Sequence, residues 1–175
     1  MLKKTAVVLA GALLALLLFA ATRPDSFRVE RSLTIRAPPD RIYASIGDFH
    51  EWASWSPYEK LDPQMKRSFN GPSSGKGAVY QWAGNEKAGA GRMEILDATV
   101  PTRVTIKLDF LKPFEGHNTA EFTIVPQGDS STVTWAMYGP SAYIHKLISL
   151  FLSMDQIVGK DFESGLANLK ALTEK

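Results

Sequence analysis

The sequence contains no cysteine, so disulfides, thiolate metal ligands, cysteine nucleophiles and cysteine-bound iron–sulfur clusters are excluded. It has only three histidines, and none forms a His-x-x-x-His pair or a similar close spacing, which makes a dedicated zinc site improbable. The glycine-rich stretch Gly71–Gly77 (GPSSGKG) joins two predicted strands with no helix after it, so it forms neither a Gly-x-Ser-x-Gly nucleophile elbow, which needs a strand-to-helix turn, nor a phosphate-binding loop. We therefore expect neither a metal nor a cofactor.

The body of the chain has almost no net charge once the N-terminal segment is counted separately. The net charge of +2 includes Lys3, Lys4 and Arg23, and the first 24 residues contain no acidic residue. The other 17 basic and 18 acidic residues leave the body at −1. A near-neutral body lacks the electropositive surface of a nucleic-acid binder, so we expect no nucleic acid as a partner.

The N-terminal segment is an uncharged, mostly apolar run over residues 5–21, preceded by Lys3 and Lys4. As a helix it rises about 25 Å, slightly less than a typical hydrocarbon core of ~30 Å. It is longer than the usual ~7–15-residue core of a signal peptide. The paired lysines keep the N-terminus in the cytoplasm, so either type of segment leaves the body outside it.

A cleavage site of the Ala-x-Ala type is poor here, because Leu18 or Phe19 stands where a small residue is preferred. We therefore predict an uncleaved, single-pass membrane anchor over residues 1–24, with a cleaved signal as the alternative. Residues 25–175 are predicted to form one domain on the extracytoplasmic side, periplasmic or extracellular.

The body begins and continues with strand patterns. Phe27 to Ile35 alternates apolar and polar residues, which is typical of a half-buried strand. Helical spacing follows over residues 39–55, and residues 65–138 read as about six strands joined by short turns. Short links favour antiparallel pairing, since parallel strands need long crossovers.

The last third is predicted to be helical. Apolar residues recur every three or four positions from Ile144 to Leu172, with a break predicted near residues 153–155. The stretch 147–152 is apolar on almost every side, which fits a lid, a contact with a bilayer or another subunit, or a fully buried helix. One long helix cannot fill the concave face of a curved seven-stranded sheet, so the α+β order predicts a pocket.

Four segments carry a resemblance to a known family: Trp52–Pro63 (WASWSPYEKLDP), Gly77–Asn85 (GAVYQWAGN), Gly89–Met93 (GAGRM) and Gly159–Lys170 (GKDFESGLANLK). They are similar to the START/birch-allergen-like helix-grip superfamily (SRPBCC), in its polyketide cyclase/dehydrase-like branch. The likeness covers Phe27 to Lys175. It implies a β-α-α-β6-α grip around a cavity for sterols, lipids, polyketides or other hydrophobic molecules. Many members of this branch with an N-terminal hydrophobic segment are known only as proteins of unassigned activity.

Candidate cavity residues are mainly aromatic residues and methionines, which line pockets but also fill ordinary cores. Tyr80 and Trp82 share one strand face, as do Trp135 and Met137. The predicted cavity residues are Arg31, Trp52, Trp55, Tyr80, Trp82, Met93, Phe110, Trp135, Met137, Phe151, Met154 and Val158.

Two polar residues, Arg31 and His117, stand where a polar side chain could meet a ligand. Arg31 interrupts the apolar face of the first strand, so it either meets an anionic ligand, pairs with Glu121, or reaches water at a sheet edge. His117, at the start of a strand, is a weak candidate for a general acid/base and more commonly would be a solvated loop histidine.

Three functions are consistent with these patterns. The leading hypothesis is a membrane-tethered protein that binds a hydrophobic small molecule or lipid in an internal cavity. The alternatives are a polyketide cyclase/dehydratase-like enzyme using His117, Tyr80 or Arg31, and a structural or partner-binding module whose cavity is filled.

Overall fold

Strands and helices follow one another in the predicted order: a strand, short helices, six strands and a long C-terminal helix. The computed structural model describes residues 2–141, 143–150 and 153–175. Its helices are α1 (Leu2–Ala21), α2 (Pro39–Gly47), α3 (Trp52–Trp55), α4 (Tyr143–Ile148) and α5 (Met154–Thr173), with 3-10 turns at Phe49–Glu51 and Pro57–Lys60. Its strands are β1 (Ser26–Ile35), β2 (Lys66–Asn70), β3 (Val79–Ala83), β4 (Ala90–Thr99), β5 (Arg103–Lys112), β6 (Gly116–Gln127) and β7 (Ser130–Pro140).

The seven strands form an antiparallel sheet in the order β1-β7-β6-β5-β4-β3-β2, which confirms the predicted α+β class. Strands β2 to β7 are neighbours in sequence order because short links join them. β1 pairs with β7, so β1 and β2 lie at opposite edges. The segment that contains α2 and α3 therefore crosses from one edge of the sheet to the other.

The concave face of the sheet is built by alternation along each strand. In β5, Val104, Ile106 and Leu108 are buried, whereas Arg103 and Lys107 are exposed. Register shifts in the β4–β5 pair at Ala90/Gly91 and at Ile95/Asp97 interrupt the ladder. Irregularities of this kind bend a strand, which helps the sheet to curve around the interior.

Helix α5 covers the concave face, and its start is fixed by a capping box. The Ser153 hydroxyl accepts from the Gln156 backbone N–H at 3.2 Å, and the Gln156 side-chain oxygen accepts from the Ser153 N–H at 3.0 Å. This cap lies at the predicted break between two helices and satisfies backbone donors that would otherwise be unpaired. Further along α5, Phe162, Leu166 and Leu169 are buried at helical spacing.

The N-terminal helix α1 contacts α4, and the Tyr143 hydroxyl donates to the Leu17 carbonyl oxygen at 2.8 Å. The Lys146 ammonium pairs with the Asp25 carboxylate and so connects α4 with the start of β1. A membrane anchor was predicted over residues 1–24. Within the described ranges, no helix combines the length and the apolarity needed to cross a membrane.

Candidate ligand-binding cavity

A cavity of about 570 Å³ lies between the sheet and α5, at the end of the interior where α5 begins. Its sheet wall consists of side chains that alternate along the strands and therefore point the same way. These are Tyr80 and Trp82 of β3, Met93 of β4, Leu108 and Phe110 of β5, Ala120 of β6, and Trp135 and Met137 of β7.

The opposite wall comes from the beginning of α5 and from the crossing segment around α3. From α5 it includes Met154, Ile157, Val158, Asp161 and Phe162, and from the crossing segment Trp52, Ser56, Tyr58, Glu59, Leu61 and Met65. Most of these side chains are apolar or aromatic. A concave apolar space with a few polar groups is the usual form of a small-molecule site.

The mouth of the cavity carries exposed apolar side chains. Phe114 is 74% exposed, Ile157 43% and Leu61 40%, yet each lines the cavity. Lys87 and Pro113 complete this rim. The cavity is therefore open to the outside through a mostly apolar rim contributed by four separate parts of the chain.

Three of the four tryptophans line the cavity, namely Trp52, Trp82 and Trp135. Trp55 was predicted there too, and this prediction is wrong. Its ring is fully buried, and its N–H donates to the Ser45 carbonyl oxygen at 3.0 Å. It packs edge-on against Phe122 and Trp135, because the short helix α3 directs it into the filled core.

The indole N–H groups of Trp52 and Trp82 also donate to backbone carbonyls. Trp52 bonds to the Ile46 oxygen at 2.9 Å and Trp82 to the Ala88 oxygen at 3.0 Å. Gly91 faces the Trp82 ring so closely that an added Cβ would overlap it. Glycine at this position therefore allows Trp82 to lie against the sheet.

One polar network lies in the cavity wall. The Tyr80 hydroxyl donates to Glu59 Oε1 at 2.5 Å, and Arg67 Nε donates to Glu59 Oε2 at 2.7 Å. The Glu59 side chain is only 7% exposed, so Arg67 supplies the compensating charge that a buried carboxylate needs. Burial, and then the hydrogen bond to Glu59, raise the pKa of Tyr80, which keeps this phenol protonated.

Arg31 was predicted to line the cavity, and the structure places it elsewhere. Its guanidinium bonds to Asp155 at 2.7 and 3.0 Å and to Glu163 at 2.7 Å. These acids stand on α5 on either side of Gly159, whose missing side chain leaves room for the guanidinium. Hydrogen bonds to the two carboxylates raise the pKa of Arg31, and the group joins β1 to α5 instead of meeting a ligand.

His117 lies on the convex side of the sheet. Its Nδ1 is 2.8 Å from Asp109 Oδ1, and its side chain is 60% exposed. The hydrogen bond with Asp109 raises the pKa of His117. Asp109 alternates with the cavity residues Leu108 and Phe110 in β5, so the histidine–carboxylate pair points away from the cavity.

Phe151, another predicted cavity residue, falls outside the described residues. Tyr58, Glu59, Phe114 and Phe162 line the cavity but were not predicted to do so. The burial of Phe162 could have been predicted, because this residue belongs to the apolar stripe of the last helix. Tyr58 and Glu59 follow a proline in a four-residue 3-10 turn, which is too short for any periodicity to indicate which way a side chain points.

The arrangement of a curved antiparallel sheet, a covering helix and an apolar cavity defines a helix-grip protein. Residues 26–174 match the family described as "Polyketide cyclase / dehydrase and lipid transport". The match covers most of the chain, and the protein belongs to this family. No curated protein matches the sequence.

Solved structures with the same fold share little sequence with this chain. Truncated norcoclaurine synthase from Thalictrum flavum has a TM-score of 0.63 at 12% identity, covering 84% of this chain and 92% of that one. A major latex-like protein from Panax ginseng has a TM-score of 0.61 at 15% identity, covering 87% and 100%. A protein from Thermobifida fusca has a TM-score of 0.61 at 18% identity, covering 82% and 90%. At such identities the likeness concerns the fold.

Proposed function

We propose that this protein binds a hydrophobic small molecule or lipid in the cavity between the sheet and α5. The observation that carries the proposal is the open cavity of about 570 Å³ with predominantly apolar and aromatic walls. This volume lies within the range of ~300–1,000 Å³ that small-molecule sites occupy. Burial of apolar ligand surface would stabilise the complex by about 25 cal/mol per Å² before the costs of association.

The alternative of a module with a filled interior is disfavoured by the same cavity. A structural or partner-binding protein has no need for an open apolar space of this size, because such a space reduces the packing that stabilises its own fold. Binding uses this space, since a ligand restores the missing contacts.

The second candidate is a cyclase/dehydratase-like enzyme, and one observation favours it: Tyr80 and Glu59 both line the cavity within hydrogen-bonding distance. However, the Arg67 guanidinium already neutralises the charge of Glu59, and the Tyr80 hydroxyl already donates a hydrogen bond to the Glu59 carboxylate. The histidine–carboxylate pair faces the other side of the sheet. Binding without catalysis therefore agrees better with the described residues.

The test is native mass spectrometry of the protein isolated gently from its own cells, followed by extraction and identification of bound lipid. We expect the unchanged protein to carry a bound apolar molecule, and we expect this molecule to be absent from variants in which a larger side chain fills the cavity. An empty protein under these conditions would count against binding, and a ligand chemically altered on incubation would favour the enzyme.

Attachment to a membrane through residues 5–21 is a separate proposal, supported by the sequence alone. Lys3 and Lys4 before an uncharged run favour an N-terminus in the cytoplasm and a body on the extracytoplasmic side. Alkaline carbonate washing of membranes tests the attachment, and a phosphatase fusion at Lys175 tests the side. Release into the wash would contradict attachment, and an intact mass of 19.3 kDa would exclude cleavage.

A further inference from the structure

The cavity opens at the end of the sheet from which the N-terminal helix leaves the body. β1 begins at Ser26, which pairs with Pro140, the last residue of β7. The antiparallel register carries this end across the sheet through the start of β6, the end of β5, the start of β4 and the end of β3. Trp82 and Phe110, close to the ends of β3 and β5, line the cavity there. The mouth and the start of β1 therefore lie at the same end of the molecule.

Helix α1 is held close to that end. Only residues 22–25 lie between α1 and β1, and a link of this length reaches at most about 18 Å when fully extended. The Tyr143 hydroxyl donates to the Leu17 carbonyl oxygen at 2.8 Å, and the Lys146 ammonium pairs with the Asp25 carboxylate. These contacts connect both α1 and the link to α4, so the last turns of α1 stay near the mouth.

α1 exposes apolar side chains along its length. Five of them are 56–64% exposed, namely Leu9, Leu13, Leu14, Leu18 and Phe19. The membrane attachment proposed above covers these side chains, whether the helix crosses the bilayer or lies in its surface. In both arrangements the short link keeps the mouth end of the body at the bilayer.

The mouth itself carries apolar side chains that such a contact would cover. Phe114, between β5 and β6, is 74% exposed, and Leu111 at the end of β5 is 54% exposed. Ile157 at the start of α5 is 43% exposed and Leu61 is 40% exposed. Large apolar groups gathered on one exposed surface mark a site of contact with a partner or a membrane.

The opposite end of the sheet provides a comparison. Val100, in the turn between β4 and β5, is 64% exposed. It is on the order of 30 Å from the mouth end, because β4 is ten residues long and a strand rises about 3.3 Å per residue. Exposure alone therefore does not distinguish the two ends, whereas the position of α1 does.

We propose that the mouth of the cavity rests on the same bilayer that holds α1, with Phe114, Ile157 and Leu61 inserted at its surface. An apolar ligand then passes between the bilayer and the cavity without crossing water. The inference rests on the membrane attachment and the ligand binding proposed above, and it adds the orientation of the body. The occupant of the apolar rim is lipid.

The experiment locates single labelled positions relative to the lipid. The chain contains no cysteine, so Phe114→Cys, Val100→Cys and Leu13→Cys each provide one site for a nitrobenzoxadiazole fluorophore. The full-length proteins are reconstituted into phosphatidylcholine vesicles, with or without lipid that carries a quenching nitroxide on an upper acyl carbon. Position 13 reports the attachment of α1, position 114 the mouth and position 100 the far end. All three side chains are exposed, so the substitutions leave the core intact.

We expect the nitroxide lipid to reduce the emission at position 114 roughly twofold or more, since groups docked on a bilayer lie about 5–10 Å within its surface. Position 13 should be quenched as well. Position 100 is the matched control, and its emission should change by less than about a tenth, because on the order of 30 Å of strand separates it from the mouth.

Quenching at position 13 without quenching at position 114 would overturn the inference, because α1 would be attached while the mouth faces away. Equal quenching at positions 114 and 100 would also overturn it, since the body would then have no fixed orientation. Strong emission at position 114 that ignores the nitroxide would indicate contact with a second copy, again against the inference. No quenching at position 13 would contradict the attachment and the inference together.

The proposed ligand binding is measured separately, with 2-acetylnaphthalene as an apolar probe. Equilibrium dialysis compares the full-length protein in lipid nanodiscs with empty nanodiscs, which corrects for probe dissolved in lipid. Binding of the probe without quenching at position 114 would overturn the orientation alone. Quenching at position 114 without binding of the probe would support the orientation and contradict the proposed binding function.

Discussion

The two ends of the interior use the same kinds of residue but differ in how fully they are packed. At the filled end, Ile42, Ile46, Trp55 and Phe122 are completely buried. At the open end, Trp82 and its neighbours border a cavity of about 570 Å³. The difference lies in what covers the sheet: α2 and α3 pack tightly over the first region, whereas the beginning of α5 and the segment that follows α3 leave open space over the second.

The two ends also differ in how their buried polar groups are hydrogen-bonded. The filled end satisfies its buried polar groups within the protein, as Trp55 and Ser131 show. Trp135 lies at the border between the two ends. Its ring stacks on Phe122 of the filled end, and the residue also lines the cavity. Aromatic composition therefore does not distinguish core from binding site, whereas both residues with an unpaired buried polar atom in the described part of the chain, Ser56 and Trp135, border the open end.

The largest expected effect is a difference in the free energy of unfolding between alanine variants of two phenylalanines, one from each end. Phe122→Ala should lower the free energy of unfolding by about 3–5 kcal/mol, since a fully buried ring leaves a new void. Phe110→Ala should lose less than half as much, because Phe110 is only half-buried beside existing open space. Urea unfolding of both variants measures this, and equal losses would contradict a difference in packing.

Filling the cavity is the second test of the comparison. Ala120→Leu places a larger side chain into the open end, and we expect at least a tenfold weaker affinity for 2-acetylnaphthalene, or about 1.4 kcal/mol. Stability should change little, because the added carbons enter space that is already open. Ala167→Leu, on the exposed face of α5, is the matched control and should leave affinity unchanged.

Two serines should respond in opposite directions to the same substitution. Ser56→Ala should raise the free energy of unfolding of the ligand-free protein by about 1 kcal/mol, because it removes a buried hydroxyl without a protein partner. Ser131→Ala should lower it by about 1 kcal/mol, since the Ser131 hydroxyl donates to the Ala37 oxygen at 2.9 Å. Equal signs in denaturant unfolding would show that Ser56 is satisfied in the free protein.

The smallest expected effect lies outside both ends, at His117 and Asp109 on the convex face. The hydrogen bond raises the pKa of His117; burial opposes ionisation of Asp109, but His117 and Lys107 outweigh it and lower that pKa. The pair therefore stabilises the fold fully between about pH 4 and 6.5. Its contribution is lost as pH falls through the Asp109 pKa or rises through that of His117.

We expect Asp109→Asn to move the His117 pKa down toward its ordinary value, as measured by NMR titration of the imidazole. Ligand affinity should stay the same, because the pair points away from the cavity. A parallel change in affinity for 2-acetylnaphthalene would contradict the separation between the two faces of the sheet.

Much of the fold could be predicted from local patterns. Alternation in residues 27–35 and 103–111 predicted strands, because burial of one sheet face imposes a period of two. The same reasoning placed Tyr80 with Trp82, and Trp135 with Met137, and these pairs do line the cavity.

What could not be predicted depends on contacts between distant residues. The Arg31 partners Asp155 and Glu163 are more than 120 positions away, and no pattern near Arg31 indicates them. Strand register brings Asp109 opposite His117, which the sequence alone does not fix. Trp55 was misplaced because a four-residue helix is too short to show which side it buries.

The sheet is open, so it has two free edges that could pair with a strand from another chain. At one edge, β2 is only five residues long, exposed throughout, and carries Lys66 and Arg67, features that discourage such pairing. At the other edge, Lys170 donates to the Thr34 oxygen and Glu174 accepts from the Arg36 N–H. The same helix that covers the cavity thus also shields the sheet from edge-to-edge aggregation.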